Sequence, residues 1–134
     1  MQIQVTVEME PLRLRLQHQR QSLAAQGEPL LKRATDELLQ RVIALTPVDT
    51  GRLRRGWEAA RAGLMGGNGA EGHVQVTREG PAVVVTATNE VPYAVAVEYG
   101  TSRQRGSAMV RRALRESRGL LVGHWLEALR SHHS

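Results

Sequence analysis

Phenylalanine and cysteine are both absent from this 134-residue chain, so its core has to close on Leu, Val, Ala, Ile and Met side chains. Trp57 and Trp125 are the only large aromatic plates. The length suits one domain, on the usual scale of about 100–200 residues. A chain of this size buries roughly two-thirds of its unfolded surface and needs no disulfide or metal to hold it. The missing cysteines exclude thiolate metal sites, disulfide scaffolds and cysteine nucleophiles, and they fit a reducing compartment.

Hydrophobic periodicity divides the chain. Residues 2–9 alternate, with Ile3, Val5, Val7 and Met9 on one side and Gln2, Gln4, Thr6 and Glu8 on the other, which predicts a half-buried N-terminal strand within 1–10. Pro11 ends it. Residues 12–25 begin with an echo of that alternation but hold good helix formers, and a helix is expected there. Gly27 and Pro29 interrupt it and start the next helix, 30–46, in which Leu31, Ala34, Leu38, Val42 and Leu45 form one apolar stripe. Thr46-Pro47 stops that helix. Asp49, Thr50 and Gly51 signal a turn, and residues 53–60 fit either a strand or a short helix. Glycine concentrates between 63 and 72, so 61–73 is expected to be a flexible loop. Residues 73–77 and 82–88 form a hairpin joined by a four-residue connection, 78–81. Residues 91–101 alternate like a strand. Pro92 at the start, Ala94 and Ala96 inside and Gly100 at the exit favour a short helix instead. After a basic loop, Ser107 is expected to cap a last helix carrying Val110, Ala113, Leu114, Leu121, Trp125, Leu126 and Leu129, and 131–134 should fray. These elements make a single α+β domain spanning 1–134. Its small, mainly antiparallel sheet is packed by a long N-terminal helical region and a C-terminal helix.

The formal charge is +5, and Lys32 is the only lysine among the basic residues. Such an excess of arginine either faces an acidic protein surface or nucleic acid, or simply covers solvated faces. Arg52, Arg54, Arg55, Arg103, Arg105, Arg111, Arg112 and Arg115 cluster, but only Trp57, Tyr93 and Tyr99 lie near them, and no helix-turn-helix, zinc-finger or RNA-recognition motif is present. Contact with DNA passing nearby stays open, and a basic DNA-binding module without enzymatic activity is the alternative reading.

Chemistry is hard to place. The five histidines are scattered without ligand spacing, so no metal and no cofactor are expected. No serine sits in a nucleophile elbow, and the glycine-rich loop lacks the Lys-Ser/Thr of a phosphate loop. Asp49 reads as a turn former. Glu98 lies among apolar neighbours and is expected to pair with Arg52 or Arg54. No catalytic residue is assigned and an enzyme is not expected. The first ten residues lack a basic region and a continuous apolar run, and no stretch approaches the ~20 apolar residues of a spanning helix. The chain is therefore expected to stay in the cytoplasm where it is made, with no membrane partner.

Three motifs in order are more informative. Pro47, Val48, Asp49, Thr50, Gly51, Arg52, Leu53 and Arg54 come first; then Asn89, Tyr93 and Ala94; then Glu98, Tyr99, Gly100 and Thr101, followed by Val110, Arg111, Ala113 and Leu114. Over roughly residues 30–116 this arrangement resembles the head–tail joining, or tail-completion, family of long-tailed bacteriophages, the gene-product-ten-like proteins of HK-type lambdoid phages. Ala108-Met109 stands where that family often has Pro-Phe, and the N-terminal strand and broken helix look more like the morphogenesis proteins of Mu-like phages. The resemblance implies a non-enzymatic virion protein, assembled in the host bacterial cytoplasm as a ring of six copies in the neck. The implied partners are further copies of the chain, the portal or adaptor, the tail-tube or tail-terminator proteins and, non-specifically, the genome DNA. On this reading 61–73 and 101–107 are interface loops, Arg54, Arg55, Gly66, Gly67, Asn68, Arg103 and Arg105 are interface residues, and Arg52, Arg54, Glu98 and Tyr99 hold the fold that presents the loops.

Overall fold

The computed structural model describes residues 3–9, 11–19, 27–48 and 51–117. In chain order the elements are strands β1 (Ile3–Met9) and β2 (Leu12–Gln19), helices α1 (Gly27–Leu45) and α2 (Arg52–Gly63), strands β3 (Gly72–Glu79) and β4 (Ala82–Asn89), and helices α3 (Ala94–Tyr99) and α4 (Met109–Ser117).

The four strands form one antiparallel sheet in the order β1-β2-β4-β3, two hairpins joined by the β2–β4 pair. The expected helix over 12–25 is thereby corrected. Leu12, Leu14 and Leu16 are fully buried on one side while Arg13, Arg15 and Gln17 are half-buried on the other. Burying three leucines at period 2 between two partner strands outweighs the helical preference of Leu, Arg and Gln, which is worth only tenths of a kcal/mol per residue. The long N-terminal helical region is accordingly a hairpin followed by the 19-residue α1; residues 20–25 lie outside the described residues.

The registers are one-to-one throughout. Met9, Leu12, Asn89 and Gly72 share the row at one end; at the other, Ile3, His18, Val83 and Arg78 share the last row β1 reaches, and Gln19, Ala82 and Glu79 form one row more. The turn between β3 and β4 is therefore two residues, Gly80-Pro81, and not four, with Gly80 at φ 58° as primed hairpin turns require. One face carries Val5, Leu12, Leu14, Leu16, Val83, Val85 and Ala87 against α1 and α2. The opposite face is polar. There Arg15 on β2 bonds Glu79 on β3, crossing β4 over Val84, which is fully buried although it belongs to the polar side.

Helix α1 buries Leu31, Ala34, Leu38, Leu39 and Val42, the expected stripe with Leu39 added and Leu45 half-buried. It stops at Thr46, whose Oγ1 donates to the Val42 carbonyl at 2.7 Å just before Pro47. Residues 53–60 are helical: Leu53, Trp57 and Ala60 recur at helix spacing and are buried, Trp57 completely. Trp125 lies outside the described residues. Helix α4 runs antiparallel to α1, with Thr46 Oγ1 3.4 Å from the Met109 sulfur at one end and Arg41 3.7 Å from Glu116 at the other. It buries Met109, Val110, Ala113 and Leu114. Residues 118–134, including Leu121, Leu126, Leu129 and the tail, lie outside the described residues.

Truncating Leu16 at the sheet centre removes a side chain with no room to relax. Leu16→Ala should lower unfolding free energy by about 2–5 kcal/mol, while the exposed Gln75→Ala should stay within about 0.5 kcal/mol. Urea denaturation followed by far-UV circular dichroism checks both.

Candidate functional site

The motif residues converge where the start of α2, the end of β4 and helices α3 and α4 meet. Three small or polar groups set the first contact. A Cβ on Gly72 would collide with the Gly56 carbonyl oxygen, and one on Gly56 would lie 2.5 Å from Asn89 Oδ1. Glycine at both positions lets α2 lie directly on the start of β3 and the end of β4. The fully buried Asn89 then joins them: its Nδ2 donates to the Leu53 carbonyl at 3.0 Å, and its Oδ1 accepts from the Val91 amide at 3.0 Å. Both ends of the amide are used, which is what makes its burial tolerable. Gly51, at φ 72°, turns the chain into α2.

Arg52 closes the loop between α2 and β3. Its Nε donates to Glu71 Oε1 at 2.7 Å, its Nη2 reaches the other carboxylate oxygen, and its guanidinium lies 5.8 Å from the centre of the Tyr93 ring. The hydrogen bond from Arg52 holds the Glu71 carboxyl below the usual carboxylate range and raises Arg52 in turn. Both side chains are exposed enough for solvent to screen the pair. Helix α2 and strand β3 take both ends of the expected flexible segment 61–73, leaving 64–71 as the connecting loop. Arg55, Asn68, Gly69 and Glu71 line a shallow groove between α2 and this loop.

The second contact is built around Glu98, which has no exposed surface. Its Oε1 accepts from the Val110 amide at 2.7 Å, and its Oε2 accepts from the Arg111 amide at 3.0 Å and from Arg111 Nε at 2.9 Å. A second guanidinium nitrogen of Arg111 donates to the Glu98 carbonyl. The carboxylate thus caps α4 from a different helix, placing negative charge at the positive end of the helix dipole. Two expectations are corrected here. Glu98 pairs with Arg111, not with Arg52 or Arg54, because Arg52 is taken by Glu71 and only α4 offers both amides and a guanidinium. Ser107 is not the cap; its amide and hydroxyl both donate to the Val97 carbonyl, at 2.7 and 3.1 Å, and so fasten the loop.

Tyr99 completes the group. The Arg111 guanidinium lies 4.5 Å from its ring centre, and the phenol titrates above its ordinary range because burial and the Glu98 charge disfavour the phenolate, with Arg111 partly opposing them. The loop between α3 and α4 turns on Gly100, at φ 87°, and on Thr101, whose Oγ1 accepts the Arg103 and Gln104 amides at 3.2 Å each. A Cβ on Gly106 would lie 2.5 Å from the Tyr99 carbonyl carbon. Arg103 and Arg105 project into solvent from this loop.

Among the expected site residues, Leu53, Asn89, Tyr93, Glu98, Tyr99, Gly100 and Thr101 are gathered here with Gly51 and Arg52. Pro47 is exposed beyond α1, and Asp49 and Thr50 lie outside the described residues. Of the expected interface residues, Arg55, Gly66, Gly67, Asn68, Arg103 and Arg105 are exposed, and Arg54 is half-buried. Sequence reasoning missed Gly56, Gly72 and Glu71. Their spacing carries no period, and their roles appear only once α2 is laid on β3. Among the described residues no three His, Asp or Glu side chains are gathered to hold a metal ion, and no helix is long and apolar enough to cross a membrane.

Two outcomes follow from this geometry. Removing a buried, paired carboxylate leaves Arg111 and two helix amides without their acceptor, so Glu98→Ala should cost about 3–5 kcal/mol, and Glu98→Gln less, in chemical denaturation. Because Glu71 is held below its unfolded value, the contribution of the Arg52–Glu71 pair is present above the ordinary carboxylate range and is lost as pH falls through the lowered value. Protection of the 64–71 amides, with exchange rates corrected for their intrinsic pH dependence, should therefore fall on acidification in the native chain, whereas Glu71→Gln should show low protection at every pH.

Comparison with known proteins follows the same residues. The family model described as "Bacteriophage HK97-gp10, putative tail-component" matches residues 12–100, well over half of the chain. No curated protein and no solved structure matches the chain significantly. The matched span runs from β2 to the end of α3 and covers the whole Gly56–Gly72–Asn89 contact together with Glu98, and on that match the chain belongs to the HK97-gp10-like family of bacteriophage tail components.

Proposed function

We propose that this tail component is a non-enzymatic part of the neck, forming a ring of six copies that joins the portal or adaptor to the tail and completes the tail. The observation that carries the reading is how the motif side chains are used. Asn89, Glu98 and Arg52 each spend hydrogen-bonding groups on tying one element to another, Arg52 doing so at the edge of the shallow groove beside loop 64–71. What those ties hold out to solvent are two loops, 64–71 and 101–107. Such a protomer presents surfaces, and a neck ring is made by surfaces meeting head to tail around an axis. Assembly takes place in the host bacterial cytoplasm, with portal or adaptor on one side and tail-tube or tail-terminator protein on the other.

A second reading, a basic module that contacts DNA non-specifically, is favoured by Arg103, Arg105, Arg112 and Arg115. All four are exposed and have no acidic partner among the described residues. Phosphate contacts of that kind weaken steeply with salt.

The double variant Arg103→Glu, Arg105→Glu should fold normally. Supplied to a phage lacking its own copy of this gene, it should yield DNA-filled heads and separate tails in electron micrographs. Joined, infectious particles from that variant would overturn the role of this loop in joining. A salt-sensitive gel shift of duplex DNA by the native chain, lost in the variant while joining persists, would favour the second reading.

A further inference from the structure

The sheet has two outer strands, β1 and β3, and among the described residues no backbone hydrogen bond reaches the outward side of either. Natural proteins shield such edges with a proline, a lysine, a bulge or a very short strand, because unpaired amides and carbonyls template further pairing. Here β1 runs seven residues and β3 eight, with no proline, no lysine and no break in register. Two long, regular edges on one small domain call for an occupant.

We propose that β3 of one copy pairs with β1 of a second copy, antiparallel and level, so that the sheet continues from protomer to protomer. Strand direction allows it. Directions alternate along β1-β2-β4-β3, so β1 and β3 run opposite ways, and a second copy set beside the first in the same orientation brings its β1 antiparallel to β3. The flush register allows it too. Val5, Leu16, Val85 and Val76 share one row, and Glu8, Arg13, Thr88 and His73 share another. A level junction therefore sets Val76 beside Val5 and Val74 beside Val7 on the helix-covered side. On the polar side it sets Gln75 beside Thr6, Thr77 beside Gln4 and His73 beside the Glu8 carboxylate.

The three polar-side rows match polar with polar, one of them an imidazole with an acid, and the two central rows of the helix-covered side match valine with valine; the end rows set Gly72 beside Met9 and Arg78 beside Ile3. A slip of one residue would put valines on the polar side. Val7 is only half-buried and Met9 is 50% exposed in the single chain, apolar surface at β1 that the added strand would cover. Pairing of β1 with another β1 would also match polarity, but it gives Glu8 a glutamine for a partner and leaves β3 open. The head-to-tail junction occupies both edges of every copy. This inference deepens the ring reading above by naming the surface through which copies meet.

Because the chain has no cysteine, introduced thiols report the junction directly. Residues opposite one another in antiparallel strands stand about 4.5–5.5 Å apart, within disulfide reach. Full-length Glu8→Cys mixed with full-length His73→Cys should give a covalent one-to-one dimer on mild oxidation, and neither should do so alone. The double variant should give a ladder of longer covalent species. Glu8→Cys mixed with Thr77→Cys, which sits four rows away, should lose the dimer band. Cross-linking of Thr6→Cys to itself would reveal pairing of β1 with β1 and overturn the proposal. So would absence of the 8–73 link both in purified chain at its highest soluble concentration and in assembled particles. Particles that hold a ring of this chain without the 8–73 link overturn the edge junction and leave the neck reading standing. Particles that lack the chain overturn the neck reading, while the link in purified chain upholds the junction.

Discussion

A carboxylate with no exposed surface, ending one helix and beginning another, organises the second half of this protein. Glu98 belongs to a six-residue helix too short to be stable by itself, and it finds its acceptor duties in the first amides of α4 and the side chain of Arg111. Burying a charge is costly unless partners surround it, and here the partners are themselves groups that would otherwise be unsatisfied. The arrangement fixes the direction in which α4 leaves α3. That direction is what lets α4 lie antiparallel along α1 and close the core over Val42, Val110 and Leu114.

The other half of the fold depends on close approach. Gly56 and Gly72 bring a helix axis nearer to a strand than any side chain would allow, and Asn89 converts that proximity into two hydrogen bonds. Arg52 and Glu71 then shut the loop from outside. Exposed as they are, they contribute less to stability than to the position of the loop. The fold is thus held by one tie at each end of the motif region, and both ties are made by residues that a search for catalysis would single out first.

Much of this was legible in the residues. The alternation of Val5 and Val7, the stripe from Leu31 to Val42, the stop at Pro47 and the exit at Gly100 are local signals, and each element they mark is present. The strand β2 was obscured because Leu12, Leu14 and Leu16 compete with helix-forming Arg and Gln. Its identity is settled by partners more than sixty residues away on β4. Glu98 was recognisable as a buried acid in need of a cation. Which arginine it takes depends on where α4 begins, and that is set by the very contact in question. Glu71 gave no warning at all: its role exists only because two glycines let α2 settle onto β3.

The anchoring of loop 101–107 has a mechanical side. The loop leaves from Gly100 and returns at Ser107 and Ala108, whose amides bond to the carbonyls of Val97 and Glu98. Its two feet therefore stand on the same turn of α3, a base only a few ångströms wide. That turn carries Glu98, whose carboxylate caps α4, and α4 lies along α1, so a short chain of hydrogen bonds and packing contacts connects the base of the loop to the centre of the molecule.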